Sequence, residues 1–391
     1  MMRIGLIVPG FSADPTDWCI PALRHLARSL ASQDDVRVIA LRYPYRAARY
    51  TLDGIETITL GGAVRRRLAT ADLWRAALGV LRREHQRRPF DVMHAFWATE
   101  SGLLAAAAGR WLGVPTLVSL AGGELVALPD IHYGDQRLVS ERLKVAASLR
   151  LATGVSAGSR QLAHMAEARG RARPGNDHQY FHANQRVHVA PLGVDLDLFN
   201  PAAPRSTEVG LPQPMPPGPR LLHVGTLIPV KDHALLLRAF AAVRRRGMPA
   251  TLELVGDGPL RPQLERLAHD LGLGGSVRFR GEVDHAALPA VYQTADACVI
   301  SSRHEAQCMV ALEAAACGVP VVGTRVGVIP ELTAEVAPVG NSVALADAIA
   351  TTLAGHPSAM HAGITTRVRS TFGLQTCADR FRGLYASLGS S

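Results

Sequence analysis

ACVISSRHEAQCMVALEAAACGVPVVG, residues 297–323, is the stretch that decides the fold. An apolar strand, a polar loop, a helix of about three turns, a Cys-Gly stop and a second apolar strand follow in order, which is a βαβ unit of a parallel sheet. Two carboxylates stand in it, Glu305 at the expected helix mouth and Glu313 eight residues on. Leu312, Ala314, Ala315 and Ala316 surround Glu313, and a carboxylate among apolar neighbours calls for a partner. Eight helical residues span roughly 12 Å. The acid pair of a retaining glycosidase needs about 5 Å and that of an inverting one about 6.5–9.5 Å, so the spacing does not suit that chemistry. It suits a long, hydroxyl-rich ligand whose anionic group rests on the helix N-terminus, where free N–H groups and the helix dipole favour negative charge. Sugar hydroxyls would then lie towards Glu305 and ribose hydroxyls near Glu313. The plainer alternative makes Glu305 an ordinary loop charge and lets Glu313 reach a surface.

Working outward, strand and helix alternate over most of the chain. RIGLIVPG, DVRVIAL, DVMHAFW and PTLVSLAGG read as strands of a first half, with helices through residues 23–30 and SGLLAAAAGRWLG between them. After residue 220 the alternation restarts with PRLLHVGTL, the helix HALLLRAFAAVRRRG, TLELVGDGP, a helix over residues 263–271, and SVRFRGEV. Short apolar runs separated by helices of ten or more residues, a generic pattern, define an α/β protein with parallel sheets. Seven prolines in residues 200–220 exclude a regular element there and predict a semi-rigid linker over 201–219. The expected domains are therefore 1–200 and 220–373, both Rossmann-like, with a terminal helix over 374–391. The ligand site is expected at the carboxyl ends of the strands, in a cleft that the two domains face.

Composition narrows the function classes. A length of 391 residues favours two domains, and a hydrophobic content of 48% excludes a disordered chain. No apolar run approaches a membrane span, and MMRIGLIVPG reads as a first buried strand rather than a signal peptide. Five scattered cysteines without a CxxC pair fit a reduced, cytoplasmic compartment. The net charge of +9 suits an anionic partner. Only Lys144 and Lys231 among the 42 basic residues are lysine, which draws notice to each. A first strand without GxGxxG argues against a nicotinamide dehydrogenase, and GxxxxGK[ST] is absent. With 5% aromatics and no basic-aromatic interleaving, nucleic acid is not the expected partner.

Several ordered segments resemble the retaining glycosyltransferases of family 4, which have two Rossmann-like domains in the GT-B fold. They are APLGVDLDLF, GTLIPVKDHALLLRAF, LVGDGPLRPQLERLA, VRFRGEV, Glu305-x7-Glu313 with ACGVPVV, and GVIPEL. The resemblance implies a nucleotide-sugar donor on the second domain, an acceptor on the first, retained anomeric configuration, and neither metal nor other cofactor. By position, Lys231 resembles the lysine that neutralises the donor diphosphate, Glu305 the residue facing the transferred sugar, and Glu313 the ribose-binding residue. Gly225, Thr226, Val283 and the backbone of Ala306, Gln307 and Cys308 fall in the implied donor site, with Gly10 approaching the phosphates. His94 and the loop Gly122-Gly123-Glu124 fall on the acceptor side, although His94 also reads as a core histidine. The chain departs from the family at Thr226 (commonly arginine), at Ala121 (commonly histidine), at Gly10 (commonly a glycine pair), and at Ala306-Gln307-Cys308 (commonly Gly-Phe-Gly). A sugar-nucleotide epimerase or hydrolase of similar architecture and a non-catalytic nucleotide-sugar binder are the competing classes.

Two further patterns carry expectations. Residues 64–90 hold Arg65, Arg66, Arg67, Arg75, Arg82, Arg83, Arg87 and Arg88 beside Leu68, Trp74, Leu78 and Leu81. This is either a basic helix for an anionic membrane or a solvated helix whose apolar stripe packs on the first domain. Asp177, His178, His182 and His188 lack an HExxH arrangement and are not expected to bind metal.

Overall fold

In the computed structural model, residues 1–62, 67–170, 186–202, 216–355 and 357–389 are described. The chain forms two compact units, one of Met1–Gly193 with Leu374–Ser391 and one of Val194–Gly373. The division falls seven residues before the boundary expected at 200. Its cause is local: the Val194 N–H donates to the Phe372 carbonyl (2.8 Å), and Val194 and Phe199 are buried in the core of the second unit. The proline-rich linker lies mostly in residues 203–215, outside the described residues.

Among the described residues the first unit is built on eight strands, β1 (Arg3–Gly10), β2 (Asp35–Tyr43), β3 (Ala47–Leu52), β4 (Ile55–Leu60), β5 (Val92–Phe96), β6 (Thr116–Leu120), β7 (Gly154–Ala157) and β8 (Val187–Val189). Their order is β3-β4-β2-β1-β5-β6-β7-β8, and all pairs are parallel except β3 with β4. That hairpin turns at Asp53 and Gly54, both at positive φ, as a two-residue Asp-Gly turn requires. The terminal helix Leu374–Gly389 belongs to this unit, where Ala378, Phe381 and Tyr385 bury against strand residues such as Ile4, Leu6 and Phe96.

In the helix Arg67–Arg87, Leu73, Ala77 and Leu81 are buried in the same unit, with Trp74 and Leu78 packed beside them. Four basic side chains of this segment contact partners in the protein: Arg75 pairs with Asp72, Arg87 with Glu84, and Arg88 with Asp35, while Arg82 lies over Trp111. Arg65 and Arg66 lie outside the described residues, as do Asp177, His178 and His182; His188 sits in β8.

Among the described residues the second unit has six strands, β9 (Arg220–Val224), β10 (Thr251–Val255), β11 (Val277–Gly281), β12 (Ala297–Ile300), β13 (Val321–Thr324) and β14 (Val336–Ala337). Every pairing is parallel, in the order β11-β10-β9-β12-β13-β14. The quoted stretch forms β12, the helix Met309–Ala316 and β13. In both units the chain leaves the central strand to one side and returns on the other, between β1 and β5 and between β9 and β12. Such reversal points open a crevice at the carboxyl ends of the strands.

Candidate active site

At the second reversal point, two loops carry the residues of interest. The first follows β9: Gly225 N–H donates to Val255 O (2.9 Å) and Leu227 N–H to Asp257 O (2.9 Å). Gly256 is at φ +122°, and a Cβ on it would stand 2.3 Å from Gly225 O, so this close approach needs glycine. A short turn, Pro229–Lys231, then ends at Asp232, whose carboxylate accepts from Leu235 N–H and caps the helix His233–Arg245. The second loop follows β12. Ser301 Oγ donates to Lys231 O (2.8 Å) and Arg303 N–H to Val230 O (2.8 Å), which fastens the two loops together.

These bonds bring Lys231 to Glu305, 74 residues away in the chain. Nζ donates to Oε1 at 2.6 Å, and Ser302 Oγ donates to the same oxygen at 2.7 Å. The side chains are 23% and 13% exposed, so the pair is partly shielded yet open to a ligand. Burial pushes the Glu305 carboxyl up, but the field and hydrogen bond of Lys231 and the Ser302 hydroxyl outweigh it, and the net shift is downward. Glu305 is therefore an ionised carboxylate beside an ammonium.

Ala306 and Gln307 lead from Glu305 into the helix Met309–Ala316, and Cys308, its N-cap, stands at φ +78°. A non-glycine residue there is strained, and the thiol is buried, with its pKa pushed well up by burial; it is not a nucleophile. Gln307 O accepts from Val328 N–H (2.9 Å), and Gly327 at φ +54° leaves no room for a Cβ against that carbonyl. The N-terminus of this helix, at Met309, thus begins four residues beyond Glu305.

Glu313 has a different setting. It is 7% exposed, accepts from Tyr292 Oη at Oε2 (2.9 Å), and has His285 Nε2 3.5 Å from Oε1. The partner that its apolar surroundings demand is thus inside the protein. Val283 packs against the same core cluster. Thr226 is exposed beside Gly225.

In the first unit the residues of interest are internally satisfied. His94 is fully buried, with Nδ1 2.7 Å from Tyr385 Oη and Nε2 2.7 Å from Ser119 Oγ; burial lowers its pKa to about 3. It is a core histidine. Glu124 is likewise fully buried and accepts from the N–H groups of Gly122 (2.7 Å), Ala121 (3.0 Å) and Ala98 (3.3 Å). Burial raises its pKa against the pull of those bonds, so its work is to shape the loop. Gly123 sits against Tyr133, where a Cβ would be 3.1 Å from the ring. Gly10 is needed for packing, since a Cβ on it would meet Tyr43 Cβ at 3.0 Å and Cys19 Sγ at 3.3 Å.

Sequence reasoning passed over Ser302, Tyr292, His285, His223 and His233. The serine and His223 were within reach of it, one three residues before Glu305 and the other breaking the apolar run of LLHVG. Among the described residues, no group of three or more His, Cys, Asp or Glu is placed to hold a metal ion.

Two Rossmann-like units, with an ion pair and a helix N-terminus at the reversal point of the second, define a protein of the GT-B class. Residues 20–178 match the glycosyl transferase 4-like domain, and residues 218–355 match the glycosyl transferases group 1 family. The chain belongs to these glycosyltransferases. It is 34% identical over 276 residues to a D-inositol 3-phosphate glycosyltransferase of Frankia alni, a match covering 66% of this chain and 62% of that protein. The chain thus spans less than two thirds of that relative's length. Among solved structures it resembles the sucrose-phosphate synthase of Thermosynechococcus elongatus, with TM-score 0.74, 23% identity and 100% of both chains covered. It also resembles the Anabaena protein Alr3699/HepE in complex with UDP-glucose, with TM-score 0.68, 19% identity, and 99% of this chain and 100% of that one covered. At such identities these two likenesses concern the fold.

Proposed function

We propose that the chain transfers a sugar from a nucleoside diphosphate sugar to an acceptor hydroxyl, with retention and without a metal ion. The observation that carries this reading is the Lys231–Glu305 pair, held by two fastened loops at the start of the helix Met309–Ala316. Departure of the diphosphate builds negative charge, which an ammonium and the positive end of a helix stabilise. Glu305 then faces the sugar. Glu313, through its buried carboxylate, fixes the ribose, with Tyr292 and His285 orienting it. The departing phosphate oxygen takes the acceptor proton, so the first unit supplies the acceptor's binding surface rather than a base. A glycan, a lipid-linked sugar or a small polyol serves as acceptor, and the relative's name makes D-inositol 3-phosphate the first to try. A cytoplasmic site, with peripheral contact of residues 65–88 to anionic lipid, completes the reading; no helix among the described residues is long and apolar enough to cross a membrane.

The test is a panel of nucleotide sugars and acceptors in the presence of a chelator, with the anomeric configuration of any product read by NMR. Retained configuration without metal is the expected result. Donor breakdown with no transfer to any acceptor would mark a hydrolase instead. Lys231→Ala should lower turnover by about 100–1000-fold, equivalent to about 2.7–4 kcal/mol of transition-state stabilisation, while leaving the fold intact.

A further inference from the structure

Two buried histidines stand beside Lys231 and have no part in the transfer as described. His223 in β9 and His233 at the start of the next helix are each 1% exposed, with ring centroids 4.6 Å apart and planes at 78°. Main-chain pairing of β9 with β12 reaches Leu222 and Cys298, and beyond it the His223 side chain spans the gap, with Nδ1 2.8 Å from Val299 O. A carbonyl only accepts, so Nδ1 carries the proton and Nε2 is left as a bare acceptor. Among the described residues, that Nε2 has no hydrogen-bond partner, and neither ring nitrogen of His233 has one. A buried polar atom without a partner is costly and calls for an explanation. Nε2 lies 3.4 Å from the place a Cβ would take on Gly225, and Lys231 Cε lies 3.8 Å from that same place. The orphan nitrogen and the lysine stem therefore meet at one strip of backbone.

We propose that His223 takes up a proton when a nucleoside diphosphate sugar binds, so that imidazolium Nε2–H joins Lys231 as a second positive group towards the diphosphate. The inference rests on the donor reading above. The only covalent change is formation of the Nε2–H bond by a proton from solvent, and Nδ1–H keeps its bond to Val299. Before binding, burial holds the His223 pKa down to about 4, with the Val299 bond and Glu305 opposing that depression and Lys231 adding to it. The negative charges of a diphosphate reverse this balance. His233 faces His223 and Lys231, and it stays neutral because burial lowers its pKa, with His223 and Lys231 adding to the depression.

The experiment is calorimetric titration with UDP-glucose, UDP-N-acetylglucosamine and GDP-mannose at mildly acid pH, in buffers of different ionisation enthalpy. The phosphates of a nucleotide sugar do not titrate near neutrality, so proton exchange reports the protein. Uptake of about one proton is expected, with affinity tightening as pH falls. His223→Asn keeps an amide N–H for Val299, should melt near the parent, and should bind without proton uptake, whereas His233→Asn should retain the uptake. Binding by the parent without proton uptake, or uptake undiminished in His223→Asn, overturns this proposal alone. Failure of all three donors to bind overturns the donor reading and this inference with it. Should His223→Asn not fold, the parent's own proton count decides.

Discussion

The two reversal points share a topology and differ in what their side chains bond to. In the first unit, His94 and Glu124 are fully buried and spend their hydrogen bonds on Tyr385, Ser119 and loop N–H groups. In the second, Lys231 and Glu305 are partly exposed and held as opposite charges on two fastened loops. A polar residue at the end of a strand is thus not a site by virtue of its place. Its remaining bonding capacity decides: a group whose donors and acceptors are all met inside the fold stabilises, and one left charged at a surface can act on a ligand.

The contrast breaks most severely in the core that the terminal helix completes. Phe381 is fully buried, so Phe381→Ala should cost about 3–5 kcal/mol of stability in urea unfolding. Nucleotide-sugar affinity of the remaining folded protein should be unchanged, and a loss of affinity without loss of stability would contradict the division of labour. A smaller effect is expected at His94. His94→Leu strands the Tyr385 hydroxyl and leaves the Ser119 hydroxyl only its bond to Ser156, and should cost about 1–3 kcal/mol, again with donor binding intact. If that variant keeps its stability but loses turnover, the first reversal point holds a catalytic histidine after all.

Within the second unit, the two glutamates sharpen the comparison further. Glu313→Gln should weaken a nucleoside diphosphate and its sugar conjugate alike, by about tenfold, or about 1.4 kcal/mol. Glu305→Gln should spare the nucleoside diphosphate and weaken only the conjugate. Equal effects of both changes on the nucleoside diphosphate in calorimetry would refute that assignment.

A further effect is on pH. The pKa values of His94, His223 and His233 are lowered by burial to about 3, 4 and 2. An unfolded histidine titrates near 6.5, so between that pH and the lowered values the unfolded chain holds more protons than the folded one. The stability from keeping these rings neutral is complete above about pH 6.5 and is lost as pH falls through the folded values. A melting temperature that stayed level from pH 7 to 4.5 in parent protein, while matching that of the His94→Leu variant throughout, would contradict this account.

The sequence made the fold legible where its periods were local. The βαβ signal of residues 297–323 and the restart after residue 220 both use neighbours in the chain. The β3–β4 hairpin was missed although Asp53-Gly54 announces it, because the strands beside it are short and mixed in character. Lys231 and Glu305 were legible through their loops and the rarity of lysine. The partners of Glu313 were not, since Tyr292 and His285 come from a separate segment with no pattern linking them to it. His94 was ambiguous for the same reason: its bond to Tyr385 spans 291 residues of chain.

The central claim is that the second unit holds a metal-independent nucleotide-sugar site centred on Lys231. It is tested most directly by melting the parent, His94→Leu and Lys231→Ala with UDP-glucose and other nucleotide sugars in the presence of a chelator. A donor at one hundred times its dissociation constant should stabilise the parent by about 2.7 kcal/mol and His94→Leu by a similar amount, and Lys231→Ala should lose most of that shift. No shift in the parent with any nucleotide sugar, or an equal shift in Lys231→Ala, would contradict the claim.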